Sequence, residues 1–390
     1  MQHNNAYEIS IFLEDQELDV IPSNLSFTQR DSIYQLYPVA SLKFNDIQGH
    51  FSEYLSFING TKVKIVYGTI DEYFPCEYTI VRNSIPDQQS MHSFGGISEI
   101  SLLHYFSFNQ TKKSFAYKDE ISNIIKKLTS SFSNRTIDVT ENKGTWYQSL
   151  ITDADFMENQ LLPFSYSSSA SKTPFFLFIN SNNEFNFQSY NSLFSKTAVE
   201  ELKFTKKGTP EALGRDSIHT IFPYQPNVNN IRHTLHSYFS TFDKSGTNVI
   251  SDDSIKDFIH NGKQIPIIAN LDNFTDYQCL YSNDVDDKDI KNNNLGLKMF
   301  QKRDCFTIDK VVVVTTLNKK LCAGKKVKIS VPTFSDKEIE ELSSRYSGEY
   351  IIESSYHTWN STQGNTILII SRQGTKLPNT YRNASKIIKE

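Results

Sequence analysis

Gly324-Lys325-Lys326-Val327-Lys328-Ile329-Ser330-Val331-Pro332 is followed by Gly348-Glu349-Tyr350-Ile351-Ile352-Glu353-Ser354-Ser355-Tyr356-His357 and by Asn365-Thr366-Ile367-Leu368-Ile369-Ile370-Ser371-Arg372. These runs set the reading of the whole chain. Lys326, Val327, Lys328 and Ile329 alternate polar and apolar, the two-residue period of a strand with one wet face. Gly324, Pro332, Gly348 and the turn-prone Gln363-Gly364-Asn365 mark their ends. The unit has an echo near the N-terminus. Asn59-Gly60-Thr61-Lys62-Val63-Lys64-Ile65-Val66 matches Ala323 to Ser330, and Glu77-Tyr78-Thr79-Ile80-Val81 matches Glu349 to Glu353. A third apolar run, Ile97 to Leu103, answers Ile367 to Ile370. Three runs recurring in the same order predict an internal duplication, although Gly-Lys-Lys-Val-Lys-Ile is also a common strand opening.

The rest of the chain is read outward from this repeat. With 390 residues it has room for about two or three domains. Its 28 Phe and 20 Tyr favour strands. Residues 1–110 predict a first small β-barrel, with Tyr7, Ile9 and Ile11, then Leu25 and Phe27, then Ala40, Leu42 and Phe44 alternating. Residues 111–195 predict an α+β insert. There Tyr117, Ile121, Ile124, Ile125, Leu128 and Phe132 lie on one helical face, with Asp119 and Glu120 near its start. A second helix is expected from Asp153 to Leu162, capped by Thr152 and ended by Pro163. Phe175 to Ile179, a turn at Asn180 to Asn183 and Glu184 to Phe187 read as a hairpin. Residues 196–242 and 305–373 predict a second β-barrel, with a strand around Ile231 to Tyr238 and a buried one at Val311 to Val314. Residues 243–304 and 374–390 read as a polar, loop-rich peripheral part and a C-terminal tail. The fold class is therefore mainly β with an α+β insert: two similar small β-barrels in one chain, interrupted by insertions.

Few chemistries are marked. A net charge of −4 argues against bulk nucleic-acid binding. No apolar run approaches the ~20 residues of a membrane span, and Met1 to Asn5 has no secretory pattern, so a soluble protein made in a cytoplasm is expected. Cys76, Cys279, Cys305 and Cys322 are scattered and read as free thiols. His233 and His236 have the spacing of a metal pair on a helix, but on a strand they point to opposite faces. Asp243-Lys244-Ser245-Gly246-Thr247 matches the phosphorylated-Asp motif of P-type pumps without any membrane helix to go with it. Asp284 to Asp289 lacks the Gly and the bidentate Glu of an EF-hand loop. There is no phosphate loop, no Gly-x-Ser-x-Gly and no His-Glu-x-x-His. No catalytic, cofactor-binding or metal-ligating residue is singled out, and no cofactor is expected.

The order of parts resembles the baseplate hub proteins of contractile-tailed bacteriophages and, more distantly, the base of the type VI secretion spike. Leu25 to Tyr34 before Leu42-Lys43-Phe44, Asp155 to Ser165 before the Phe-rich hairpin and Phe185-Asn186-Phe187, and the closing runs around Gly324, Tyr350 and Thr366 carry the resemblance. It covers nearly the whole chain, except that residues 243–304 have no counterpart. It implies a structural, non-enzymatic protein of the virion tail baseplate, assembled in the host cytoplasm. Two barrels per chain would let a homotrimeric ring with pseudo-sixfold order join a sixfold tail tube to a threefold central spike. Tail-spike, tail tube and baseplate wedge proteins would be its partners, with DNA present only in transit through the channel and no stable membrane insertion. Two other readings stay open: a virion-associated cell-wall hydrolase, which needs a paired acid and base, and a carbohydrate-binding adhesin using Trp146, Tyr147 or Trp359.

Overall fold

The computed structural model describes residues 7–18, 23–45, 59–69, 72–84, 97–104, 111–169, 173–204, 216–224, 233–240, 248–252, 275–283, 295–297, 299–300, 303–307, 309–332, 343, 346–360 and 364–372. The 243–247 and 284–289 stretches weighed above lie outside them, as does the C-terminal tail. Among the described residues no helix is long and apolar enough to cross a membrane.

The molecule is mainly β. The first set of strands is β1 (Tyr7–Leu13), β2 (Gln16–Glu17), β3 (Ser23–Ser32), β4 (Val39–Asn45), β5 (Lys62–Thr69), β6 (Glu72–Ser84) and β7 (Ile97–His104). Far along the chain come β13 (Glu200–Phe204), β14 (Ser217–Tyr224), β18 (Asp309–Thr316), β19 (Lys326–Ser330), β20 (Gly348–Asn360) and β21 (Gly364–Arg372). All thirteen join one hydrogen-bonded sheet, in the order β19-β13-β14-β18-β21-β20-β3-β4-β7-β6-β5-β1-β2. Because β19 also pairs with β20, the second set closes into a six-stranded barrel.

The two halves of the sheet repeat each other residue by residue. The order β3-β4-β7-β6-β5 in the first barrel matches β14-β18-β21-β20-β19 in the second, and every neighbouring pair is antiparallel in both. Val63 lies opposite Tyr78 and Lys64 opposite Glu77; Val327 lies opposite Tyr350 and Lys328 opposite Glu349. The glycine before each copy is left-handed, at φ +96° for Gly60 and +77° for Gly324. Gly60 N–H donates to Ile80 O at 2.8 Å and Gly324 N–H to Ile352 O at 2.9 Å. The return bonds, Ile80 N–H to Thr61 O and Ile352 N–H to Lys325 O, are also shared. A bulge follows at the same place, between Ile80 and Arg82 and between Ile352 and Ser354. The duplication expected from three sequence runs thus extends to single hydrogen bonds. One strand departs: β1 is antiparallel to β5, whereas β13 is parallel to β19.

Each barrel buries its inward-facing rows. Val63, Ile65, Tyr78, Ile80, Ile100 and Leu102 fill the first; Val327, Ile329, Tyr350, Ile352, Leu368 and Ile370 stand in the matched positions of the second. Each such side chain contributes about 1.5–3 kcal/mol by leaving water.

Between the two sets lie two smaller sheets and three short helices. The strands β8 (Lys113–Glu120) and β10 (Lys143–Ile151) form a ribbon, and β11 (Phe175–Ile179), β12 (Phe185–Ser189) and β9 (Arg135–Ile137) form a three-stranded sheet. The long first helix expected from Tyr117 to Phe132 is shorter: α1 spans Ile121–Leu128. Tyr117 instead belongs to β8, held opposite Trp146 by the ladder to β10, and still stacks on Phe156 at 5.5 Å. Asp119 keeps its place at the helix start by accepting from Glu120 N and Asn123 Nδ2 and pairing with Lys127; these contacts, Lys127 first, lower its carboxyl to about 2. The second helix starts where expected, with Thr152 Oγ1 accepting from Asp155 N at 3.0 Å. After one turn, α2 (Asp153–Phe156), it widens into a π turn, Met157–Leu161, and ends in a 3-10 turn holding Pro163. The Phe-rich hairpin is β11 and β12, followed by α3 (Tyr190–Ser195).

One stretch read as part of the second barrel is placed elsewhere. His233–Ser240 is a strand, β15, but it pairs with β16 (Asn248–Asp252) and β17 (Thr275–Asn283) in a separate sheet. Alternation reports that a segment is extended, not which strand it pairs with. Two strands also occupy the stretch read as loop-rich, where Tyr277, Cys279, Leu280 and Tyr281 form a short apolar run.

Candidate functional site at the seam between the barrels

The strand β20 belongs to both barrels. Its first part, Gly348 to Ile351, pairs with β19; past the bulge, Ser354 to Asn360 pair with Ser32 to Ser26 on β3. The neighbouring β21 follows it on the other side, from Ile351↔Ser371 to Trp359↔Gly364. Trp359 therefore ends in the core of the first barrel, joined there by Leu317.

A buried polar cluster lies along this seam. Leu25, Phe27, Gln29 and Asp31 share the inner face of β3, so the apolar row turns polar where the second barrel arrives. Asp31 is fully buried and accepts from Ser181 N at 2.6 Å, Ala323 N at 3.2 Å and the Ser355 hydroxyl. Burial raises its carboxyl above the usual range, against those bonds and the nearby Lys319 charge. Lys319 is also buried. Its ammonium donates to Gln29 Oε1 and to Ser181 O at 3.0 Å, lies 3.6 Å from Cys76 Sγ, and sits 5.2 Å from the Tyr67 ring centroid. Tyr67 donates to Gln29 Oε1 at 2.9 Å. His357 bridges Ser355 at 3.1 Å and Thr366 at 3.1 Å; burial first, then the Lys319 charge, pushes its pKa far down and keeps the ring neutral. Buried polar groups of this kind hold one arrangement firmly because each loses a partner if the parts separate.

Three parts of the chain meet here. The first barrel supplies Gln29, Asp31, Tyr67 and Cys76; the second supplies Lys319, Ala323, Ser355 and His357; the hairpin turn of the insert supplies Ser181 and Asn182, the latter donating to Lys319 O at 3.3 Å. The insert adds an ion pair, Glu184 to Lys325 at 2.7 Å, and wedges Phe178 against Gly324, where any Cβ would come 2.3 Å from the ring. On the first barrel, His104 is stacked between Tyr37 and Phe132, and its Nε2 is 2.9 Å from Asn183 Oδ1. Burial lowers its pKa to about 4.

The seam is a clamp of strand pairing and buried hydrogen bonds that joins the two barrels and the insert. Sequence reading marked none of its polar residues. The available signal was Gln29 and Asp31 standing on the inward side of an otherwise apolar row. Of the aromatics weighed for sugar binding, Trp359 is buried, Trp146 packs 5.6 Å from Phe164, and Tyr147 is exposed. Cys76 and Cys322 are buried thiols in no disulfide. His233 and His236 both lie on β15. Among the described residues no group of three or more His, Cys, Asp or Glu is placed to hold a metal.

No protein-family model matches the chain, and no curated protein matches it in sequence. Solved structures do share its fold. The tail protein from Neisseria meningitidis MC58 aligns over 95% of this chain and 98% of its own, with a TM-score of 0.54 at 8% identity. The 43 kDa tail protein of prophage MuSo2 from Shewanella oneidensis aligns over 94% of this chain and 98% of its own, with a TM-score of 0.57 at 10% identity. Along nearly its whole length, the chain has the fold of these two tail proteins.

Proposed function

We propose that this chain is a structural hub protein of a phage-type tail baseplate. Three copies form a ring of six barrels in pseudo-sixfold order. Such a ring meets a sixfold tail tube on one face and a threefold central spike on the other. The observation that carries this reading is the pair of barrels matched to single hydrogen bonds and fused through one shared strand. The tail-protein fold supports the same role. Spike, tail tube and wedge proteins are the partners, the virion tail is the location after assembly in the host cytoplasm, and the protein itself does no catalysis. DNA passes through the central channel, and a net charge of −4 suits a wall that does not retain it.

Electron microscopy of the purified protein with its neighbouring spike protein tests this. End-on averages with a threefold ring, six similar lobes and a central hole are expected. Isolated particles with no hole, whatever the concentration, would sink the reading.

A further inference from the structure

Equivalent strands of the two barrels are treated differently. In the first barrel one side of β3 is covered by the overhang of β20. Following the ladders from β7 to β4 to β3, and from β21 to β18 to β14, identifies β14 as the equivalent of β3. Among the described residues β14 pairs with β18 on one side, while on the other only Ser217 and Ile218 meet β13. Phe222 and Tyr224 on this strand are 45% and 43% exposed; their counterparts Thr28 and Arg30 are half-buried beside β20. The strand equivalent to β20 is β6. It too runs past its bulge, and Arg82, Asn83 and Ser84 pair with β7 and with no other described strand.

We propose that the end of β6 in one copy docks on β14 of a second copy of this chain, repeating between chains the junction that β20 makes with β3 within one. This rests on the ring reading above and gives it a contact. The register carries over. Tyr356 lies opposite Arg30, whose guanidinium is 4.9 Å from the ring centroid, and the equivalent positions are Ser84 and Tyr224. Ser84 of one copy thus faces Tyr224 of the next. Exposed Phe222 and Tyr224 supply apolar cover to the contact beside Pro223, which has no N–H to give. The contact uses different patches on the two copies, so it repeats until a ring closes.

The test is the full chain carrying Ser84→Cys and Tyr224→Cys together, mildly oxidised and examined on non-reducing gels, with light scattering of the same sample. Opposed strand positions are close enough for a disulfide. Chains linked in twos and threes are expected, neither single substitution should link, and Arg30→Cys with Tyr356→Cys should close within one chain. A ring of three copies without linked chains overturns the proposed register and leaves the ring reading standing. Single chains at every concentration overturn both. Should the double variant fail to fold, Phe222→Glu is the second test. It is expected to release single chains that melt like the parent chain; an unchanged ring mass overturns the proposal.

Discussion

The turn at Gly60 and the turn at Gly324 share a backbone and differ in their neighbours. A Cβ at Gly60 would meet nothing within 4 Å, whereas at Gly324 it would strike Phe178. The ends of β7 and β21 show the same contrast. Counting along the matched ladders, His104 and Arg372 are equivalent. His104 is a neutral ring wedged against the insert; Arg372 is a guanidinium bound to Asp309 at 2.7 Å and lying over Tyr350. What repeats is the strand framework. What differs is what packs against each copy.

The largest expected effect comes from breaking the seam itself. Lys319 belongs to the second barrel but its ammonium serves acceptors on the first barrel and the insert. Lys319→Ala removes a buried cation from a hydrogen-bonded cluster and is expected to cost about 3–5 kcal/mol. A denaturant melt should show one transition moving as a whole. A second, unmoved transition would mean the first barrel stands alone, and the idea of a shared seam would fail.

Next come the two glycines. Gly60→Ala pays only for its left-handed backbone, about 1–2 kcal/mol. Gly324→Ala adds the collision with Phe178, for a total of about 2–4 kcal/mol. Equal losses in the two melts would show that the hairpin does not press on the second turn.

A further effect is a pH response from His104 on the first barrel. The His104 pKa falls from 6.5 to about 4 on folding, so the unfolded chain binds the proton more tightly between those values. The stability is fully present above pH 6.5 and is lost as pH falls toward 4. About 2 kcal/mol of it is gone at pH 5. His104→Asn should remove the His104 part of that response and leave the part that comes from His357, whose ring burial also keeps neutral. A curve unchanged by the substitution would rule out His104 as the source.

The framework was legible in the sequence because a strand with one wet face writes its period into the residues. Lys-Val-Lys-Ile after a glycine, twice, was enough to find β5 and β19. The seam was not legible. Nothing in Ser354 to Asn360 says that the strand changes partner after the bulge, since a strand's own residues do not name the strand they pair with. Lys319 reads as a surface lysine, because burial is decided by what arrives from elsewhere in the chain. Tyr117 shows the converse: it kept its core position while the local structure turned out to be a strand, because the end of a strand and the start of a helix can face the same interior.

The shared strand also sets an order of events during synthesis. Ser32 and Ser354, hydrogen-bonded at 2.8 Å in the finished seam, are 322 residues apart. At roughly 5–20 residues per second, the ribosome needs on the order of tens of seconds between releasing β3 and releasing β20. Throughout that interval the nascent chain carries a bare strand edge, with Gln29 and Asp31 still waiting for Lys319. Such an edge is open to pairing with another nascent chain, so translation speed and chaperone cover become part of how this molecule reaches its native form.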